Sequence, residues 1–222
     1  AVARIRENMT TAAKAAGRDP GEVLLCAACK TRTAQTIAAS AALPIDVFGE
    51  NHVQELCANY DAGAYCGKPS HFIGHLQTNK IKKVLGRASL IQSVDSEHLL
   101  LAIEKEAAKA GIVQDILLEV NIGGEAAKSG FAPEDIAAAA ETALAMPHVR
   151  VRGLMTIPPV AMEPHGNLAY FEKMRWLYVD INAKIYDNKM EYLSMGMSGD
   201  FADAIRCGSN MIRVGTAIFG AR

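Results

Sequence analysis

The chain has 222 residues, half of them hydrophobic, and its mean hydropathy lies just above zero. That length suits one large α/β unit or two small ones, with ample material for a core. A formal net charge of -1 advertises no nucleic-acid or anionic-membrane partner, and the longest apolar runs are strand-sized, too short to span a bilayer.

No secretory signal is read at the start of the chain. Five cysteines, an odd number in a chain too large to need staples, fit reduced thiols in a cytosolic protein. Cys26-Ala27-Ala28-Cys29 matches C-x-x-C, but it falls within a predicted strand. There the odd spacing sends the two thiols to opposite faces. A redox or metal pair needs a helix start or a turn instead. The histidines show no ligand spacing.

In chain order, a helical pattern over 3–16 comes first and stops at Gly17. Strand-like runs follow near 23–28, 47–49, 71–73, 90–93, 116–121, 151–155, 192–195 and 211–214. Helical patterns lie between most of them. The clearest spans 96–110: Asp95 or Ser96 caps it, Leu99, Ile103 and Ala107 mark an apolar face, and Gly111 ends it. A second spans 133–145, with Pro133 near its first turn and Pro147 beyond its end. A third spans 168–185, with Phe171, Trp176, Tyr178 and Ile181 as core candidates.

Strands alternating with helices predict a parallel sheet, and eight is the number that closes a (β/α)8 barrel. A doubly wound open sheet is the rival, but it calls for a glycine-rich first turn. Here the first strand ends in Cys29-Lys30-Thr31-Arg32, and no glycine follows until Gly49. The expected fold is therefore α/β, a single (β/α)8 TIM barrel over 1–222. Too few residues follow the last strand for a final helix, so the N-terminal helix is expected to fill that slot in the outer ring.

Barrel chemistry sits at the carboxyl ends of the strands. Lys30 stands at the end of the first apolar run, where partial burial favours the neutral amine that attacks a carbonyl. At the other end, Ser194-Met195-Gly196-Met197-Ser198-Gly199-Asp200 leads into a helical pattern, and Arg213-Val214-Gly215-Thr216 closes the last strand. Glycines let backbone N–H groups approach an anion, hydroxyls donate, and a helix start adds partial positive charge. Asp200 or Ser198 also reads as a helix cap. Loops after strands seven and eight are where barrels commonly bind phosphate. A lysine facing a phosphate cup suggests a ligand with an aldehyde at one end and a phosphate at the other, and pyridoxal 5'-phosphate is such a ligand.

The motif pieces are Leu24-Leu25-Cys26-Ala27-Ala28-Cys29-Lys30-Thr31, Phe48-Gly49-Glu50-Asn51, and the run from His71 to Lys80. Further on come Lys128-Ser129-Gly130, Arg152-Gly153-Leu154-Met155, Ser194-Met195-Gly196-Met197-Ser198, and the run from Arg213 to Gly220. In this order, over nearly the whole chain, they resemble the pyridoxal-phosphate homeostasis protein family, whose barrel is like the N-terminal domain of alanine racemase. One departure is His75, where the family usually has proline.

The resemblance implies a cytoplasmic protein that carries or buffers pyridoxal 5'-phosphate, held as an internal aldimine on Lys30, with no established turnover. Its expected partners are the cofactor and apo-enzymes that receive it, with no nucleic acid or membrane. A monomer or weak dimer is expected. Ser198, Gly215 and Thr216 would form the phosphate cup. Arg213 is either a phosphate donor or the partner of the ring nitrogen. Asn51 is a hydrogen bonder near the ring or a structural residue of its loop, and Met155 packs near the ring or in the core. Racemases of this kind carry a second, β-rich domain that brings a tyrosine base, and the chain ends after the barrel. Two-base racemization is therefore not expected. The rival readings are a racemase or lyase with the same cofactor, and a cofactor-less aldolase-type lysine enzyme acting on a sugar phosphate.

Overall fold

The computed structural model describes residues 1–220. Eight parallel strands pair in chain order, and the last pairs with the first to close the barrel. They are β1 Leu24–Ala28, β2 Val47–Glu50, β3 Ser70–Phe72, β4 Leu90–Val94, β5 Gln114–Val120, β6 Val149–Thr156, β7 Tyr192–Ser194 and β8 Met211–Val214. Every strand falls within two residues of its expected place. The helices are α1 Val2–Ala15, α2 Ala34–Ser40, α3 Val53–Asp61, α4 Ile81–Val84, α5 Glu97–Ala110, α6 Ile136–Leu144, α7 Leu168–Lys184, α8 Phe201–Arg206 and α9 Thr216–Phe219. Among the described residues no helix is long and apolar enough to cross a membrane.

Strand alternation sorts side chains into two cores. Leu25, Phe48, Phe72, Ile91, Leu118 and Ile212 point outward and pack under the helices. Cys26, Val47, Ile73, Leu117, Met155 and Met211 point inward and fill the barrel. The C-x-x-C thiols part as expected, with Cys26 inside and Cys29 outside. Cys29 lies one residue beyond β1 rather than within it. Burial pushes the Cys26 thiol up to about 12 and also raises Cys29, so neither ionises readily.

The N-terminal helix fills the expected gap in the outer ring. α1 buries Val2, Ile5, Met9, Ala12 and Ala13. Just past its end, Arg18 donates to the carbonyls of Ile205 and Ser209, both at 2.8 Å. On the other side Arg6 donates to Pro44 O at 2.8 Å and pairs with Asp46. These bonds tie α1 to both flanks of the β8–β1 seam. Its slot is nonetheless shared, because 216–219 form the short α9, a helix the sequence was not expected to supply. The last two residues of the expected 1–222 span lie outside the described residues.

The local rules mostly hold. Ser96, not Asp95, caps α5, its Oγ accepting from Leu99 N at 3.3 Å, and Gly111 ends that helix in the left-handed region at φ 65°. Trp176 is a correction: it is 65% exposed, while Phe171, Tyr178 and Ile181 are buried. On α7 the buried face runs through 171, 174, 178 and 181, and 176 lies off that stripe.

Candidate functional site

One cavity of about 380 Å³ opens at the carboxyl ends of β1, β7 and β8. Lys30, Asn51, Ser198, Arg213, Gly215 and Thr216 all border it. Met155 does not; it is fully buried in the barrel interior with Leu117 and Met211. Ile73 and Ile157 give the cavity apolar wall, and Arg32 and Phe219 border it beside Lys30.

Lys30 lies two residues past β1 in a tight turn, closed by Arg32 N donating to Cys29 O at 2.9 Å. Thr31 N donates to Glu55 Oε1 at 3.3 Å. Thr31 adopts φ 62°, a left-handed conformation that a β-branched residue rarely takes. Arg32 donates to Gly220 O at 2.9 Å and its guanidinium lies 5.7 Å from the Phe219 ring centre. The lysine turn and α9 are thus fastened together. Asn51 is set by close packing, since a Cβ on Gly74 would stand 2.0 Å from Asn51 O.

The loop after β7 also depends on a glycine. Gly196 has φ 96°, and a Cβ there would meet Ala204 Cβ at 2.6 Å. Asp200 stands at the N-cap position of α8, but its side chain makes no cap hydrogen bond to the helix. Its Oδ1 accepts from Met197 N at 2.8 Å, and its Oδ2 accepts from Asn167 Nδ2 at 2.8 Å. These bonds hold Ser198 and Gly199 at the cavity edge. The expected helix-dipole support is small, because α8 has six residues and α9 four. Hydroxyls, backbone N–H groups and Arg213 are the donors here.

Arg213 is 5% exposed and enters the cavity from the barrel interior. Its Nη1 donates to Ser194 Oγ at 2.6 Å and its Nη2 to Thr156 O at 2.8 Å. Burial lowers its pKa from the usual guanidinium value, while Cys26, Glu119 and Asp200 act in the other direction. Behind it stand three polar side chains that the strand-end reading gave no role: Ser194, Gln92 and His71. Glu119 is a further one, 7% exposed, with Ser129 Oγ 3.5 Å from its Oε1. Burial first and Asp95 second push Glu119 up to about 7, while Arg213 pulls it down. His75, the residue that departs from the family pattern, places its Nδ1 3.0 Å from Asp95 Oδ2. The signal for these interior groups was strand parity: Gln92, Glu119, Ser194 and Arg213 each stand two residues from an inward-facing apolar or aromatic side chain.

Outside the barrel, beneath the lysine turn, Glu50 is fully buried against α3. Its Oε1 accepts from Asn59 Nδ2 at 2.8 Å and from Tyr65 Oη at 3.0 Å. Its Oε2 has no hydrogen-bond partner among the described residues. Burial pushes Glu50 up to about 7 against the pull of those bonds.

Over residues 1–222 the chain matches the family described as alanine racemase, N-terminal domain. Fold and cavity together define a barrel of that class. It is 41% identical over 221 residues to the pyridoxal phosphate homeostasis protein of Aquifex aeolicus, covering 100% of this chain and 96% of that one. The solved structure of PipY from Synechococcus elongatus, with PLP bound, is 29% identical at a TM-score of 0.83, covering 97% of this chain and 100% of that one. Alanine racemase of Corynebacterium glutamicum shares the fold at 18% identity and a TM-score of 0.71, with 98% of this chain but 61% of the racemase covered. The chain belongs to the pyridoxal phosphate homeostasis protein family.

Proposed function

We propose that this protein binds pyridoxal 5'-phosphate and serves its intracellular balance, as a cytoplasmic carrier or buffer that hands the cofactor to apo-enzymes. The observation that carries the reading is the donor set of the cavity. It holds a primary amine, two guanidiniums of which Arg213 is buried, two hydroxyls and glycine backbone, and no Asp or Glu borders it among the described residues. That set fits a ligand with a dianionic phosphate and a carbonyl carbon. A cation would find no partner there. Homeostasis relatives and the PLP-bound PipY support the same ligand.

The proposed roles are supported by where each residue borders the cavity. Ser198, Gly215 and Thr216 hold the phosphate at the rim. Lys30 Nζ bonds the aldehyde carbon with loss of water, and the cofactor supplies the electron-withdrawing ring. Arg213 donates to the ring side from the floor. A guanidinium at the ring nitrogen keeps that nitrogen unprotonated and makes the ring a weaker electron sink, which suits a carrier better than a carbanion enzyme. Asn51 lies at the wall between Lys30 and β3 as a further hydrogen bonder.

The test is the visible absorption spectrum of the purified protein before and after added pyridoxal 5'-phosphate. A yellow imine band is expected. Protein that stays colourless while binding a sugar phosphate would favour an aldolase-type enzyme. Incubation of the loaded protein with L-alanine in deuterated water, followed by chiral analysis, separates a carrier from a racemase. Sustained formation of the D-isomer, lost in Lys30→Ala, would replace the carrier reading with an enzymatic one.

A further inference from the structure

A buried hydrogen-bond chain runs from Arg213 into the barrel. Arg213 Nη1 meets Ser194 Oγ at 2.6 Å, Ser194 Oγ meets Gln92 Oε1 at 2.6 Å, and Gln92 Nε2 meets His71 Nδ1 at 2.9 Å. Gln92 and Ser194 are fully buried, and His71 is 6% exposed. Four strands, β8, β7, β4 and β3, contribute one link each.

One end of the chain fixes the direction of all of it. Arginine only donates hydrogen bonds, so Ser194 Oγ must accept from it. The single Ser194 hydroxyl proton is then left for Gln92 Oε1. The Gln92 amide therefore turns its NH2 toward His71, and His71 Nδ1 must accept. A neutral ring with its proton on Nε2 does so, and burial alone pushes His71 down to about 3. All the links agree, with no donor facing a donor. At the other Arg213 nitrogen, Thr156 O is a backbone anchor that cannot turn.

We propose that Gln92, acting through Ser194, is a positioning residue for Arg213: it holds the guanidinium in one plane, with its remaining N–H groups presented to the cavity. This rests on the pyridoxal-phosphate reading of that cavity. The physical reason is preorganisation. A guanidinium held by two fixed acceptors loses little freedom when a ligand arrives, so more of each hydrogen bond appears as affinity. An apolar layer at this depth, like that formed by Leu90, Leu117 and Met211, would fill the barrel equally well but leave the Arg213 plane unset.

The test is a double-mutant cycle read with two ligands, pyridoxal 5'-phosphate and pyridoxine 5'-phosphate. The second has no aldehyde and reports binding without the lysine bond. Gln92→Leu and Ser194→Ala are each expected to weaken both ligands roughly three- to tenfold, and Ser194→Thr, which keeps the hydroxyl, should restore most of the loss. In an Arg213→Met background neither change should weaken binding further. Losses that add in that background, or single variants that fold and bind like wild type, would overturn the proposal. Ser194→Ala, the smaller change, carries the test where Gln92→Leu does not fold. A ligand-free readout separates this proposal from the cofactor reading. The Arg213 guanidinium N–H resonances should be resolved in the unliganded protein and broaden in Ser194→Ala and Gln92→Leu. If wild type binds neither ligand, the cofactor reading fails and the cavity loses the ligand for which Arg213 is held. If wild type binds but those resonances do not change in the variants, only the positioning role fails.

Discussion

The two halves of the barrel mouth have opposite chemistry. On the β7–β8–β1 side stand Lys30, Ser198, Arg213 and Thr216, with no carboxylate on the cavity wall among the described residues. On the β3–β5 side stand the His75–Asp95 pair and Glu119. The first half offers donors and positive charge. The second offers carboxyl groups, one of them pushed toward neutrality by burial and by its neighbour. On the proposed reading, this contrast favours a ligand whose phosphate lies on the donor side of the mouth.

The harshest way to break the donor half is to remove its amine. Lys30→Ala should abolish the imine band while the protein stays folded, because Lys30 lies in a turn, outside the strands. Borohydride reduction of the loaded wild type and peptide mapping should find the label on Lys30. A label on Lys80 or Lys128 with Lys30 unmodified would defeat this assignment.

Arg213 comes next. Arg213→Met removes a charge-assisted donor, a loss of about 1.5–3 kcal/mol, or roughly ten- to hundredfold in affinity. Thr216 is exposed, so Thr216→Ala should cost less, about 0.5–1 kcal/mol. Pyridoxal without its phosphate should bind far more weakly than the phosphate ester. Equal affinity for the two would show that the hydroxyls and glycines of this half are not a phosphate cup.

The carboxyl half is sharpened through pH. Burial and Asp95 push Glu119 up to about 7, so its charge is expected to appear as pH rises through neutrality, on the side of the barrel away from the proposed phosphate cup. Affinity should then fall by about threefold between pH 6 and 8, a modest interaction at high effective dielectric. Glu119→Gln should flatten that slope. The stability sign follows from the same shift. The folded pKa is raised above the unfolded one, so this stabilisation is complete below the ordinary glutamate range. It is lost as pH climbs to about 7. Denaturant titrations of wild type and Glu119→Gln should diverge over that window, and parallel curves would count against a buried, protonated Glu119.

The strands were legible because each is an apolar run of the right length between breakers, and the donor half because its groups sit next to those runs in sequence. Glu119, in the acid half, was not. Glu119 lies inside an apolar strand, and only parity with inward-facing Leu117 marks it as a group of the mouth. Gln92 escaped for the same reason, and Ser194 was read only as part of its loop motif. The two bond each other from 102 residues apart in the chain, and no local spacing announces that. Trp176 misled because aromatic character suggested core on a helix whose buried stripe passes it by. The short α9 escaped because four residues carry too little periodicity to be seen.

The smallest effect on ligand chemistry is expected at Thr31, whose replacement asks whether the donor half is held rigid. Its φ of 62° is the left-handed region, and its side chain is exposed. Such strain costs on the order of 1–3 kcal/mol in a non-glycine residue. Glycine removes it, but gives back about 0.5–1 kcal/mol through the greater freedom of the unfolded chain. Thr31→Gly should therefore stabilise the fold by about 0–2.5 kcal/mol. The same freedom loosens the turn that carries Lys30. Imine formation should slow by about twofold, while pyridoxine 5'-phosphate, which does not react with the lysine, should bind unchanged. Thr31→Ala keeps the left-handed penalty and should resemble wild type in rate. If Thr31→Gly lowers stability, the turn is not strained. If both ligands weaken together, Thr31 shapes the whole cavity and not the lysine alone.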